Sequence, residues 1–182
     1  LIKVETSIPT DKIPYALNSV LPKDIVIRAA REVPENFHPR YDAREKTYRY
    51  LILNDKFPIP QYRNISTFIS AQLNVEEMDK GAKYFIGNHD FGAFSSAGSS
   101  VKTTERTIFD ALVYREDPFV IFEVRGNGFL YNMVRIMAGT LIEIGIGKKK
   151  ASDVKDIILS RDRSKAGITA PAQGLTLVEI KY

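Results

Sequence analysis

An α+β fold built on a mixed, largely antiparallel sheet with helices packed on it is the class this sequence predicts, and three stretches carry the prediction. Arg40 to Asn54 alternates as a long strand does, with Lys46, Tyr48, Tyr50 and Ile52 on one face and Thr47, Arg49, Leu51 and Leu53 on the other. Ile108 to Tyr114 and Phe119 to Val124 are apolar, β-branched and aromatic runs on either side of Arg115-Glu-Asp-Pro118, the pattern of a hairpin. From Phe129 to Gly145 the chain is apolar on nearly every helical face, which predicts a helix buried on all sides. Strands and helices mix without regular βαβ alternation, so a parallel, doubly wound sheet is not expected.

Taken in order, residues 1 to 6 alternate like a strand, and Pro9 with Thr10-Asp11 opens a short helix through Leu17 that Asn18 and Leu21-Pro22 end. Asp24 to Val33 is a second expected strand, and Pro34 to Pro39 a loop. After the long strand, Phe57 to Tyr62 is broken by Pro58 and Pro60, and Ile65 to Ile69 predicts a short strand. Asn74 with Glu77 three residues on is a helix start, and Val75, Met78, Ala82 and Phe85 form its apolar stripe. Gly87 is the expected stop. Ser95 to Thr104 is rich in Ser, Gly and Thr, a mobile loop carrying Lys102 with Arg106 just beyond; the pair suits a phosphate-bearing ligand, or is incidental to a solvated linker. Gly126 and Gly128 let the chain turn from the hairpin into the buried helix. Lys148 to Lys150 suit that helix's C-terminal dipole, Ser152 is placed to cap a last helix to Leu159, and Gly174 to Tyr182 closes with an alternating strand.

Hydrophobic residues make up 44% and charged residues 26% of 182, the balance of a chain that buries a sizeable core. A net charge of +4 permits a polyanionic partner without demonstrating one. With no cysteine there is no disulfide, thiolate chemistry or Cys-ligated zinc, and His38 and His89 alone make a poor metal site. No Gly-rich phosphate loop supports a nucleotide cofactor, and no Ser-His-Asp or Cys-His set is available. Neither a metal nor a cofactor is expected. The longest apolar run carries Arg135 and Glu143 and falls short of a membrane span, so the expected location is cytoplasmic.

Arg135 is the exception inside the buried helix. A guanidinium without a partner is costly to desolvate, so something anionic or polar should meet it. Asn132 lies one turn earlier on the same face, and Gly139 one turn later permits a close approach. Glu143, two turns on, is an alternative internal counter-ion. Composition and periodicity reach a basic α+β domain with a capacity for RNA, and no further.

The ordered motifs go further. Asn18 with Leu21-Pro-Lys-Asp-Ile25, Phe37-His-Pro-Arg40, Ala43, Lys46-Thr-Tyr-Arg-Tyr50, Asn54, Asp90-Phe-Gly-Ala-Phe94, Arg106-Thr-Ile108, Gly126 to Arg135 and Ala170-Pro-Ala-Gln-Gly-Leu175 together resemble the TruA family of tRNA pseudouridine synthases. The likeness covers essentially the whole chain. It implies a pseudouridine-synthase-like catalytic fold, incomplete here, with residues 1–35 the tail of an N-terminal lobe and 36–182 the C-terminal lobe. It also implies a cofactor-free isomerisation of a uridine in the anticodon stem-loop of tRNA, by a homodimer, with the base flipped from its stack. Tyr48 resembles the family's active-site tyrosine, set against the target base and a candidate for moving the C5 proton; read alone, it is equally a strand tyrosine filling the core. Arg135 resembles the arginine that pairs with the catalytic aspartate, and Leu175 an apolar residue lining the base pocket. Lys102 and Arg106 fall where the family has basic residues, and with Asn132 they complete the expected substrate-binding set.

One departure stands out. The family's nucleophilic aspartate lies in a Gly-Arg-Thr-Asp-Ala-Gly-like segment just before the strand that corresponds to Leu1 to Thr6, and no such segment occurs in these residues. Asp11, Asp24, Asp42 and Asp90 do not stand in that context. The chain is therefore expected to be roughly the C-terminal two thirds of an enzyme, inactive by itself; the alternative is a non-catalytic RNA-binding or dimerisation module. Arg135, lacking its proper partner, is expected to bond a substitute such as Glu143, a backbone carbonyl, water or an anion, and Arg135→Met is expected to be near-neutral or stabilising.

Overall fold

The computed structural model describes residues 1–98 and 103–182, which divide into two compact units, Leu1–Ala43 and Arg44–Tyr182. In the first unit the short helix α1 spans Ile13–Asn18. Asn18 ends it by folding its amide onto the backbone of Ile27, accepting from the Ile27 amide at 2.7 Å and donating to its carbonyl at 2.9 Å. The two strands expected in this unit do not form. Leu1, Ile2, Val4, Ile25 and Val26 are all exposed, and alternation specifies a strand only where a neighbouring strand completes the ladder.

The second unit is the expected α+β assembly. Its sheet contains β1 (Glu45–Asn54), β2 (Thr67–Ile69), β3 (Gly87–Asp90), β4 (Glu105–Glu116), β5 (Phe119–Gly126) and β6 (Leu175–Lys181) in the order β2-β1-β5-β4-β3. Along one side of β1 run two partners in succession, β6 antiparallel beside Glu45 to Tyr50 and β2 parallel beside Ile52 to Asn54. Every other pairing is antiparallel. The β4–β5 hairpin is longer than its apolar runs suggest, because polar positions continue the pairing, Arg115 opposite Val120, Glu116 opposite Phe119 and Asp110 opposite Arg125; in the neighbouring β1–β5 ladder Arg49 faces Glu123 with a 2.9 Å ion pair.

Helices α2 (Val75–Lys83), α3 (Met133–Gly145) and α4 (Asp153–Ser160) complete the unit. Tyr50, Ile52, Phe122 and Val124 line one face of the sheet and join a core with Met78, Phe85, Ile136, Met137 and Leu141. The face predicted for Tyr50 and Ile52 is thus the buried one. On the opposite face Leu53 and Ile121 are also buried, and Tyr62 stands edge-on to Phe119 at 4.8 Å. Asn74 caps α2, its side chain accepting from the Glu77 amide at 3.1 Å. Gly87 does not stop that helix, which ends at Lys83; it opens β3 with φ +118°, a conformation that suits glycine alone. Nor does Ser152 cap α4 through its side chain.

The buried helix begins later than its apolar run. Asn132, at φ 59°, takes the left-handed conformation and separates Phe129 to Tyr131 from α3. Of the two glycines before it, Gly126 is needed for close packing: a Cβ there would lie 2.8 Å from the Thr107 carbonyl oxygen and 2.9 Å from Ile108. Within α3 every residue but Arg135 and Glu143 is buried. Gly139 meets another segment of the chain. A Cβ at that position would lie 1.9 Å from the Ile168 carbonyl oxygen, and one on Gly167 would lie 2.6 Å from the Thr140 backbone, so the two main chains touch. Thr140 seals the crossing by accepting from the Gly167 amide at 2.9 Å while donating to the Ile136 carbonyl at 2.8 Å.

Candidate active site

Beyond that crossing the chain runs as a strap from Ala166 to Leu175, over the N-terminal turn of α3 and the buried face of β1. It is fastened to Arg135 in both directions: the Ala170 amide donates to the Arg135 carbonyl at 3.1 Å, and Arg135 Nε donates to the Ala170 carbonyl at 2.7 Å. Arg135 Nη1 donates to Asn132 Oδ1 at 3.1 Å, the contact that one helical turn permits. Asn132 Nδ2 donates in turn to Ser96 Oγ at 3.1 Å. Its left-handed backbone is what aims the amide back at the guanidinium while α3 starts beyond it.

Among the described residues no carboxylate pairs with Arg135. Glu143, the expected internal alternative, is engaged elsewhere, accepting from the Ile168 amide at 3.2 Å and lying 3.6 Å from Lys149 Nζ. Its position two turns along the helix sets it at the Gly139 crossing rather than at the guanidinium. The partner that does meet Arg135 is a backbone carbonyl, helped by an amide oxygen. Nη2 has no hydrogen-bond partner among the described residues, and Arg135 as a whole is half-buried. The guanidinium is thus fixed through Nε and Nη1, and its Nη2 edge, unbonded among the described residues, is suited to an oxyanion.

Tyr48 lies on the same face of β1 as Tyr50, opposite Val124 of β5 and Leu177 of β6. Phe129 stands edge-on to its ring with centroids 5.0 Å apart and planes at 80°. The ring packs on the core while the hydroxyl has no hydrogen-bond partner among the described residues. Burial pushes the phenol pKa up, so at neutral pH it carries its proton. Leu175, first residue of β6, pairs with Tyr50 and is half-buried against the core.

Of the other candidates, Arg106 sits on β4 opposite His89, with Nη1 donating to the Thr103 carbonyl at 3.0 Å and to its neighbour Glu105. Its stem passes over Gly128, and burial pulls its pKa down from the ordinary arginine value. Lys102 lies outside the described residues. Sequence reasoning missed Phe129 as a ring partner, Ser96, and the Tyr50, Thr67 and Pro171 contacts that tie the strap to β1. The only advance signal was that Tyr50 shares a face with Tyr48.

Asp90 anchors the adjoining turn. It accepts from Thr104 Oγ1 at 2.6 Å and from the Gly92 amide at 2.9 Å, and lies 3.0 Å from Arg161. The Thr104 bond first, then the Gly92 amide and the Arg161 charge, hold its carboxyl below the usual range against the opposing effect of burial. A carboxylate whose folded pKa is depressed adds stability above its unfolded value, about 3.9, and loses it as pH falls through the lower folded value. Denaturant melts of wild type and Asp90→Asn should differ most near neutral pH and converge below about pH 4.

Comparison with known proteins gives this arrangement its class. A family model described as tRNA pseudouridine synthase matches residues 82–182. The tRNA pseudouridine synthase A of Thermoanaerobacter sp. (strain X514) is 54% identical over 180 residues, which are 99% of this chain and 74% of that protein. The protein of the same description from Acetivibrio thermocellus is 54% identical over 177 residues, 97% and 72% of the two chains. A third, from Caldicellulosiruptor bescii, is 48% identical over 180 residues, 99% and 74%. The chain belongs to the tRNA pseudouridine synthase family, and its α+β unit with a mostly antiparallel sheet is in keeping with a pseudouridine-synthase-like fold.

Proposed function

We propose that these residues form the tyrosine and arginine wall of an active site that isomerises a uridine in the anticodon stem-loop of tRNA, and that the 182 residues alone do not turn over. The observation that carries this reading is the guanidinium of Arg135, held through Nε and Nη1 with no carboxylate beside it among the described residues. The reaction exchanges a C1′–N1 bond for a C1′–C5 bond, with C5 giving up a proton and N1 taking one up. It needs a nucleophile to hold the sugar or base while the base rotates. Arginine and a protonated tyrosine position and polarise; neither supplies that nucleophile. In the complete gene product the guanidinium fork orients a carboxylate, as bidentate Arg–carboxylate pairs do.

Tyr48 has its ring fixed by Phe129 and its hydroxyl open, the state of a group that stacks on a flipped base and exchanges a proton with it. Leu175 lines the apolar side, and Arg106 and Asn132, with Lys102 on the strength of its place in the sequence, are the groups assigned to the phosphates and the loop. The same reading takes from the family a homodimer acting in the cytoplasm without cofactor or metal. Tritium release from C5-labelled uridine tests it with the complete gene product. Release is expected from an intact tRNA and is lost when the anticodon-arm uridines are replaced; release that persists there places the target elsewhere.

A further inference from the structure

At Ala170 and Pro171 the strap that brings Leu175 and Arg135 together is held through two successive carbonyls, and the reason lies in its sequence. Pro171 has no N–H, so the peptide joining it to Ala170 is gripped only through oxygen. Arg135 Nε takes the Ala170 carbonyl at 2.7 Å, and Tyr50 Oη takes the next one, Pro171, also at 2.7 Å. The same Tyr50 oxygen lies 2.5 Å from Thr67 Oγ1. A phenol has one proton and a carbonyl can only accept, so the direction is fixed: Thr67 donates to Tyr50, and Tyr50 donates to Pro171. Tyr50 is fully buried and Thr67 nearly so, which shields the bond between them from water. The strap then presses on the ring itself. A Cβ on Gly174 would lie 2.7 Å from Tyr50 Cζ and 2.9 Å from the Leu51 carbonyl oxygen, so Gly174 packs flat on the tyrosine directly before Leu175. Arg135 is close enough for its charge to oppose the rise that burial imposes on the Tyr50 phenol.

We infer that Tyr50 is a positioning residue for the isomerisation: its hydroxyl, relayed from Thr67 of β2, sets the Ala170 to Leu175 strap and through it the orientation of Arg135 and the Leu175 side of the base pocket. This rests on the reaction proposed above. It assigns the two tyrosines of Lys46-Thr-Tyr-Arg-Tyr50 different tasks, Tyr48 toward substrate and Tyr50 toward the scaffold that holds the arginine.

Tyr50→Phe removes one oxygen and keeps the ring beneath Gly174. In the complete gene product it is expected to lower kcat about tenfold with KM for tRNA within about twofold, because a small displacement of an orienting group falls on the chemical step. Val154→Ala, a buried truncation in α4 outside the network, serves as the control for lost stability and should leave kcat unchanged. A second readout needs no turnover. In the 182-residue chain the Arg135 Nε–H, bonded to Ala170, should exchange slowly with solvent in wild type and Val154→Ala and faster in Tyr50→Phe, all well below their melting temperatures. Equal effects of the two substitutions, or a Tyr50→Phe variant with wild-type kcat and a protected Nε–H, would overturn the inference. If the wild-type gene product forms no pseudouridine, the reading of the reaction fails and the kcat claim with it. The Nε–H exchange then decides separately whether Tyr50 sets the strap.

Discussion

Gly139→Ala is expected to be among the most destabilising single changes in this chain, costing about 3 kcal/mol or more. Overpacking a tight interior ordinarily costs about 1–3 kcal/mol when side chains can shift. Here the added carbon would sit 1.9 Å from the Ile168 carbonyl oxygen, which is main chain and cannot rotate away. Either the strap lifts or α3 bends. Lifting the strap breaks the Gly167–Thr140 bond and loosens both bonds between Arg135 and Ala170. A methyl group remote from the proposed chemistry should therefore also reach Arg135. Denaturant melts give the stability loss, and a cost below about 1 kcal/mol would mean that the crossing yields more easily than its geometry indicates.

Arg135→Met carries the largest expected effect on activity. In the complete gene product it should reduce turnover by about two orders of magnitude or more, since it removes the group proposed to orient the nucleophile. Its effect on stability in the 182-residue chain is smaller and has a definite sign. The sequence alone suggests near neutrality for an arginine without its carboxylate, but the guanidinium makes two bonds to neutral acceptors, Ala170 O and Asn132 Oδ1. Losing them from a half-buried position should cost about 1–2 kcal/mol. That is less than the roughly 3–5 kcal/mol expected for breaking a buried ion pair. Melts of the two proteins distinguish these cases: a loss of several kcal/mol would reveal an ion pair, and a gain in stability would show that the two bonds contribute nothing.

Local signals carried much of the second unit. The alternation of Arg40 to Asn54 gave the two faces of β1, though the strand starts only at Glu45, the apolar runs gave the hairpin, and Asn74 with Glu77 gave the start of α2. The same signal failed at Leu1 to Thr6 and Asp24 to Val33, because alternation reports a capacity to pair and not the presence of a partner. The start of α3 was misplaced for another reason. Hydrophobicity is continuous through Phe129 to Tyr131, and the break is a backbone conformation at Asn132 that apolar periodicity does not encode.

At the site, the Arg135–Asn132 contact was legible because helical spacing is local. The closeness allowed by Gly139 was legible too, although what approaches is the chain's own strap rather than a ligand. The role of Tyr50 was not legible. Its partners Thr67 and Pro171 lie 17 and 121 residues away, and no periodicity links them.

The central claim is that Arg135 and Tyr48 stand ready for chemistry that needs a carboxylate these residues do not place beside them. Mapping pseudouridine in unmodified tRNA after incubation with the 182-residue chain and, in parallel, with the complete gene product tests it most directly. Conversion is expected at anticodon stem-loop uridines with the complete gene product and none with the 182 residues at any enzyme concentration. Multiple turnover by the 182-residue chain itself would contradict it.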